Sequence, residues 1–333
     1  MTTALIAIAM FCGLIFVHEL GHFLAAKAVG VPVIEFSIGM GTPIVQRKKG
    51  ETEYSLRLFP IGGYCKMEGE DEESENERAF NRQPAWARIL IIISGSFMNV
   101  VAAIVILAVV HTQAGAYTNV LGTVTESFPA YEAGLLAGDE IIAVNGESVR
   151  EWVDIVNAIT NTKEDRIPLT VLRDGIEQTL YSGVLINEEG RRVIGITPEV
   201  SHSLLLGTRD AFRSTAALLS EMGHFLVRLV SGGASASDVA GPIGIVSIIG
   251  QQAKYGWLSV LYLAAMISLN LAVVNMLPLP ALDGGRLLFI VIRSLGGGRI
   301  SDESEALIHT IGMVFLMGLM VFMLFKDAFQ FLL

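Results

Sequence analysis

Four stretches of the chain stay apolar for about the 20 residues that a bilayer-spanning helix needs: roughly 4–28, 88–111, 256–278 and 306–325. The second, from Ile89 to Val110, contains no charge at all. The first has no basic residue ahead of its apolar run and is interrupted by His18, Glu19 and His22, so it reads as a retained helix and not as a removable signal peptide. Between the spans the pattern changes. Residues 33–38 (VIEFSI), 44–48 and 53–59 (EYSLRLF) have strand character and are separated by the turn-forming pieces GMGTP and KKGET. The run EGEDEESENE, 68–77, reads as a solvated loop with no specific role. Residues 115–199 alternate strands and short helices: VLGTVTE, a helix from Pro129, the turn AGD, IIAVNG, a second helix, then strands near 168–173, 177–186 and 192–197. From Leu204 to Val230 apolar residues recur with helical period, which fits a helix lying on the outer membrane surface or packed on the preceding unit.

The fold class that follows is a polytopic α-helical membrane protein with four transmembrane helices, a membrane-associated β-hairpin region at about 32–66 and an inserted α+β domain. The expected organisation is a first membrane half, 1–111; the inserted domain, 115–199; a juxtamembrane amphipathic region, 200–255; and a second membrane half, 256–333. Composition agrees, with 52% hydrophobic and 17% charged residues and a mean hydropathy of +0.56. A formal charge of -10 argues against nucleic acid as a partner, since that binding rests on neutralising phosphates, and no basic stripe or nucleic-acid motif offsets it. Orientation follows from Lys and Arg in short loops. Arg47, Lys48, Lys49, Arg57, Lys66, Arg78 and Arg82 lie in the first loop, and Arg286, Arg293 and Arg299 follow the third span. Both loops are therefore expected in the cytoplasm, with the inserted domain and both termini outside it.

The candidate chemistry is concentrated in HELGH, His18 to His22. Four residues apart on a helix, the two imidazoles share a face and can hold one zinc ion, while Glu19 beside them can take a proton from the attacking water. Ionisable groups within a spanning helix are costly unless they pair or bind something, which favours a site over a chance motif. Cys12 lies in an apolar run and Cys65 in what reads as a charged loop, so any metal must use His and carboxylate. A catalytic zinc wants a third protein ligand. Asp283, in NMLPLPALDGGR, is the only acid between Asp238 and Asp302. Spans one and three run in the same direction, and HELGH and Asp283 both lie toward the exit ends of their spans, so they meet at one leaflet. Pro278 and Pro280 break the helix there, and the freed backbone must line a protein cavity.

These residues resemble the bacterial site-2 proteases, of the single-PDZ type that regulates sigma factors: HELGH in the first helix, GSFMN (Gly95 to Asn99) in the second and NMLPLPALDGG in the third. SFPAYEAGLLAGDEIIAVNGESV, between the second and third spans, resembles a PDZ domain. The resemblance implies an intramembrane zinc endopeptidase of the bacterial plasma membrane with one Zn2+ per chain, held by His18, His22 and Asp283, and Glu19 as catalytic base. It also implies a membrane-reentrant β-loop, formed by the strands at 33–59 with Gly39 and Gly41 in IGMG and the later GGYCKM (Gly62 to Met67), that pairs with substrate. Asn275 is a candidate to bind the substrate backbone or the oxyanion. The expected partners are single-pass membrane protein substrates, such as anti-sigma factors or signal-peptide remnants after a first cut, together with the lipid bilayer and a peptide ligand of the PDZ domain. A non-proteolytic PDZ membrane adaptor is the alternative, and it would not depend on Glu19. A metal transporter would need polar residues along several spans, and span two is almost bare of them.

Overall fold

The computed structural model describes residues 2–70, 72–187, 190–233, 240–296 and 302–332. In chain order its helices are α1 (Thr2–Val29), α2 (Ala85–Ala114), α3 (Pro129–Glu132), α4 (Trp152–Asn161), α5 (Leu204–Val230), α6 (Pro242–Lys254), α7 (Trp257–Asn275), α8 (Asp283–Gly296) and α9 (Asp302–Leu332). The chain divides into two compact units, residues 1–110 with 211–333 and residues 111–210. Among the described residues four helices are long and apolar enough to cross a membrane: α1, α2, α7 and the Ser304–Phe329 part of α9. They coincide with the four apolar runs of the sequence.

In the first unit, β1 (Val33–Lys49) and β2 (Thr52–Met67) pair antiparallel. Each bends back, so that residues 35–38 are bonded on one side to 53–56 and on the other to 63–66. The result is a four-stranded ribbon in which 33–38 is central and 63–67 forms an edge. The bends occur at Gly39, Gly41 and Gly62, all in left-handed backbone that a side chain would strain. Phe36 packs against Phe16 and Phe23 of α1, with ring centroids 5.8 and 5.1 Å apart, and this pins the sheet to the helix. Ala26, Val33, Met67, Ile91 and Ile290 complete the core beneath it.

Several sequence expectations are corrected here. The separate strands at 33–38, 44–48 and 53–59 are joined into two continuous ones, the second of which runs through Gly62 and Gly63 to Met67, close to the expected limit of about 66. Cys65 is therefore not in a charged loop; it is buried inside β2 opposite Phe36. The segment after the third span is not a plain loop but α8, whose Leu287 and Ile290 pack on the core around α1 and β1. The acidic run is also engaged: Glu68 accepts from Ser74 and Asn76, at 2.8 Å each, and Glu70 pairs with Arg286 of α8. Arg299 lies outside the described residues.

The second unit contains β3 (Ala116–Val124), β4 (Glu140–Val144), β5 (Glu147–Ser148), β6 (Arg166–Arg173), β7 (Ile176–Gly183), β8 (Leu185–Ile186), β9 (Arg192–Val193) and β10 (Ile196–Ser201). An antiparallel sheet of order β10-β3-β4-β6-β7, with β5 on β4, buries Leu121, Ile141, Val144, Leu169 and Val171 together with Ile155 of α4. The turn before β4 is locked by Asp139, 1% exposed, which accepts from Arg173 Nε and Nη2 at 2.7 Å each and from the Leu136 N–H at 2.9 Å. Burial by itself would raise the Asp139 carboxyl, but Arg173 and the Leu136 N–H hold it below the usual carboxylate range.

A carboxylate held low stabilises the fold fully above its unfolded pKa of about 4, and that contribution is lost as pH falls through the native value. Asp139→Ala is expected to destabilise this unit by about 3 kcal/mol at pH 7, read as faster hydrogen exchange at β4 and β6 in the full chain. The difference from wild type should shrink below about pH 4. Equal exchange at pH 7 would contradict the role given to the pair.

Candidate metal centre

α1 places His18 and His22 one turn apart, both buried. They are buried because α2 comes unusually close. A Cβ at Gly95 would lie 2.3 Å from His22 Nε2 and 2.8 Å from His18 Cε1, so any side chain there would occupy the space of the rings. Gly21 on α1 is the counterpart, since a Cβ there would stand 2.2 Å from the Ser94 carbonyl oxygen. His22 Nδ1 lies 2.9 Å from the Ile91 carbonyl oxygen, which can only accept. Nδ1 therefore carries the proton, and Nε2 is left with a free lone pair.

α7 ends at Asn275, and Pro278 and Pro280 break the helical path. The loop 276–282 then turns into α8, whose first residue is Asp283. Gly284 and Gly285 allow that turn to close tightly, since a Cβ at either would meet the Leu277 or Leu279 carbonyl oxygen at 2.2 or 2.3 Å. Asp283 Oδ2 thereby stands 3.2 Å from His18 Nε2 and 3.4 Å from His22 Nε2, and the two Nε2 atoms are 3.2 Å apart.

This triangle fits a zinc ion. Tetrahedral bonds of about 2.0–2.1 Å separate ligand atoms by roughly 3.3 Å, which matches all three edges. Asp283 Oδ2 is also a buried oxygen without a hydrogen-bond partner, which a cation would satisfy. Asn99 adds a second sign. It is fully buried, one turn beyond Gly95, with its amide nitrogen 3.3 Å from His18 Nδ1 and its Oδ1 without a partner. Amide orientation follows from the network and not from the atoms themselves. Turned over, Oδ1 accepts from His18 Nδ1–H, which satisfies the orphaned oxygen and frees Nε2 for a metal.

A cavity of about 260 Å3 opens beside these atoms, lined by His18, Glu19, Asn99, Asn275 and Asp283 among others. Asn275 Nδ2 is 3.3 Å from His18 Nε2. Gly63, on the edge strand, faces Glu19, with a Cβ position 3.6 Å from Glu19 Cγ. Gly39 and Gly41 are not brought to the cavity; they sit at the bend of β1 against Phe59. The Glu70–Arg286 pair joins the end of the edge strand to α8, and the second Glu70 oxygen accepts from the Met67 N–H at 3.3 Å.

Peptidase family M50 matches residues 6–319. The chain belongs to that family. It is a zinc metalloendopeptidase of the site-2 protease type and a multi-pass membrane protein. The chain is similar to a Clostridium perfringens protein assigned provisionally as a zinc metalloprotease, 37% identical over 96% of this chain and 97% of the relative. It is also similar to the regulator of sigma-W protease RasP of Bacillus subtilis, 31% identical over 98% of each chain. That alignment runs 418 positions against 333 residues, so at least 85 positions face gaps in this shorter M50 member. Among solved structures, the PDZ domain of an SdrC-like protein of Listeria monocytogenes aligns at 23% identity with a TM-score of 0.22, covering 25% of this chain and 86% of that one.

Sequence reasoning singled out GSFMN only as a motif and gave Gly95 and Asn99 no task. A buried amide in an otherwise charge-free span was the available signal. Gly63 falls in the GGYCKM motif of the expected β-loop, but its approach to Glu19 had no sequence signal, and Glu70 carried none, because these partners are set by the folding of the sheet. Asn99→Ala is expected to weaken zinc binding by about 10- to 100-fold, and Gly95→Leu to abolish it, both measured by chelator competition on the purified protein. Wild-type affinity in both variants would remove α2 from the account of the site.

Proposed function

We propose that the chain is an intramembrane endopeptidase that cleaves transmembrane segments of single-pass membrane proteins, with His18, His22 and Asp283 as zinc ligands and Glu19 as the catalytic base. The observation that carries this is the Nε2–Nε2–Oδ2 triangle of 3.2–3.4 Å set within an apolar span. Zinc bound there would supply Lewis acidity, polarising a carbonyl and acidifying a water. Glu19, in the same cavity, takes a proton from the attacking water and passes it to the departing nitrogen. The Asn275 amide donates to the oxygen on which charge develops.

A peptide bond in a helix hides its carbonyl behind neighbouring turns, so the substrate segment must be unwound before attack. The 63–67 edge, which passes beside Glu19, supports capture of the unwound segment as an added strand. Gly39 and Gly41 serve this by shaping the bend that sets the ribbon. The second unit, read as an extracytoplasmic PDZ domain from its sequence and its sheet with capping helices, would bind a peptide end or screen substrates already trimmed outside the membrane. The substrate class in view is an anti-sigma factor or a signal-peptide remnant after a first cut, in regulated proteolysis at the bacterial plasma membrane. Both termini lie on the extracytoplasmic side in this reading.

Glu19→Gln should keep one zinc per chain and lower cleavage by at least about 100-fold. Expressed in place of the wild type, it should cause truncated membrane-protein precursors to accumulate, as seen by membrane proteomics. Cleavage at the wild-type rate, or zinc loss accounting for the defect, would count against Glu19 as the base.

A further inference from the structure

The loop that delivers Asp283 is conformationally costly. Pro278 and Pro280 remove two of its N–H groups, and Ala281, two residues before the carboxylate, adopts φ +72°. The other non-glycine residues with positive φ among those described are Ser127, Asn145 and Asp174. Those are polar residues of the kind that settle into such a turn by hydrogen bonding, whereas alanine has no side-chain bond to offset the conformation. Something outside the loop must hold it.

That support comes from α9. The Ala281 N–H donates to His309 Nδ1 at 2.9 Å. The acceptor role requires the His309 tautomer with its proton on Nε2. The same ring lies against Phe289 of α8, with centroids 5.5 Å apart. His309 therefore touches the chain on both sides of Asp283: the loop before it and the helix after it. Three residues on, Gly312 is buried while its neighbours Ile311 and Met313 are exposed. A Cβ at Gly312 would stand 2.3 Å from Pro280 Cβ and 2.9 Å from the Pro280 carbonyl carbon and oxygen. Glu305, one turn before His309, pairs with Arg293 of α8 at 2.7 Å. Residues 305, 309 and 312 thus form one face of α9, seated on the loop and on α8.

We propose that His309 and Gly312 of the fourth spanning helix are positioning residues for the metal site, holding Ala281 in its left-handed conformation so that Asp283 Oδ2 meets the two histidines. Neither lines the cavity beside His18 and Asp283. α9 is in this account a working part of the site, and its separation from the loop would release the third ligand. The inference rests on the reading of Asp283 as a zinc ligand, and the test separates the two.

The test uses the full-length protein in detergent, with zinc affinity by chelator competition and the visible spectrum of the cobalt-substituted form as readouts. His309→Phe keeps a ring against Phe289 and removes the acceptor. His309→Asn keeps an acceptor oxygen at the position of Nδ1. The expected result is a loss of affinity of about 10- to 100-fold with an altered cobalt spectrum for His309→Phe, and recovery to within a few-fold of wild type for His309→Asn. Gly312→Val should behave like His309→Phe. Wild-type affinity and spectrum in both His309→Phe and Gly312→Val would overturn the proposal, as would equal loss in the Asn and Phe variants, which would assign the effect to packing and not to the hydrogen bond. Asp283→Ala is the control. If it abolishes binding while His309→Phe and Gly312→Val do not, only the buttress fails; if it binds zinc as wild type does, the ligand assignment fails as well.

Discussion

Two imidazole nitrogens and a carboxylate oxygen stand within 3.2–3.4 Å of one another inside a bundle of apolar helices, and the surrounding fold is arranged around that cluster. With both rings unprotonated at Nε2 and no cation the arrangement is unfavourable, because lone pairs face each other and Asp283 Oδ2 has no donor. With a cation the same closeness becomes the binding energy of the site. The fold therefore has to hold the ligands against their own repulsion, and it does so from three sides. α2 presents Gly95 and Asn99 to the rings, α8 begins with the carboxylate, and α9 supports the loop that leads into it.

Close backbone approach is the recurring means. Gly21 and Gly95 bring α1 and α2 together, Gly284 and Gly285 fold α8 onto its own loop, and Gly312 seats α9 on Pro280. In a bilayer, where apolar burial between helices gains little over contact with lipid, small residues that permit such packing hold helices together. The polar contacts are then few and directed: Ile91 fixes one tautomer, Asn99 can fix the other, and Glu70 joins Arg286 to tie the sheet to α8, the helix that begins with Asp283. The sheet and the metal site thus share a frame, which suits a reaction in which an extended peptide must be held beside the metal.

The apolar spans were legible because length and hydropathy are local properties, and HELGH because its spacing is one helical turn. The structure places Asp283 Oδ2 3.2 and 3.4 Å from the two histidines, although the sequence offered no view of how the loop is supported. What could not be read has a common cause. Cys65 reads as a loop residue beside Lys66 and the acidic run, yet Gly62 in left-handed backbone turns the strand and lets it continue to Met67, so Cys65 is interior. The acidic run looked idle because Glu70 finds Arg286 216 residues later. His309 looked like an isolated histidine in an apolar helix because its partner is a backbone N–H, which has no sequence signature. The structure separates Gly39 and Gly41 from the cavity, while Gly63, from the GGYCKM part of the same β-loop, lies against Glu19.

The most direct test of the central claim is zinc K-edge X-ray absorption on the purified wild-type protein. The account predicts a first shell of two imidazole nitrogens and oxygen ligands at about 2.0–2.1 Å, with the outer-shell scattering of two imidazole rings, and loss of the bound zinc in Asp283→Ala. A sulfur ligand at about 2.3 Å, or wild-type zinc content with the same shell in Asp283→Ala, would contradict it.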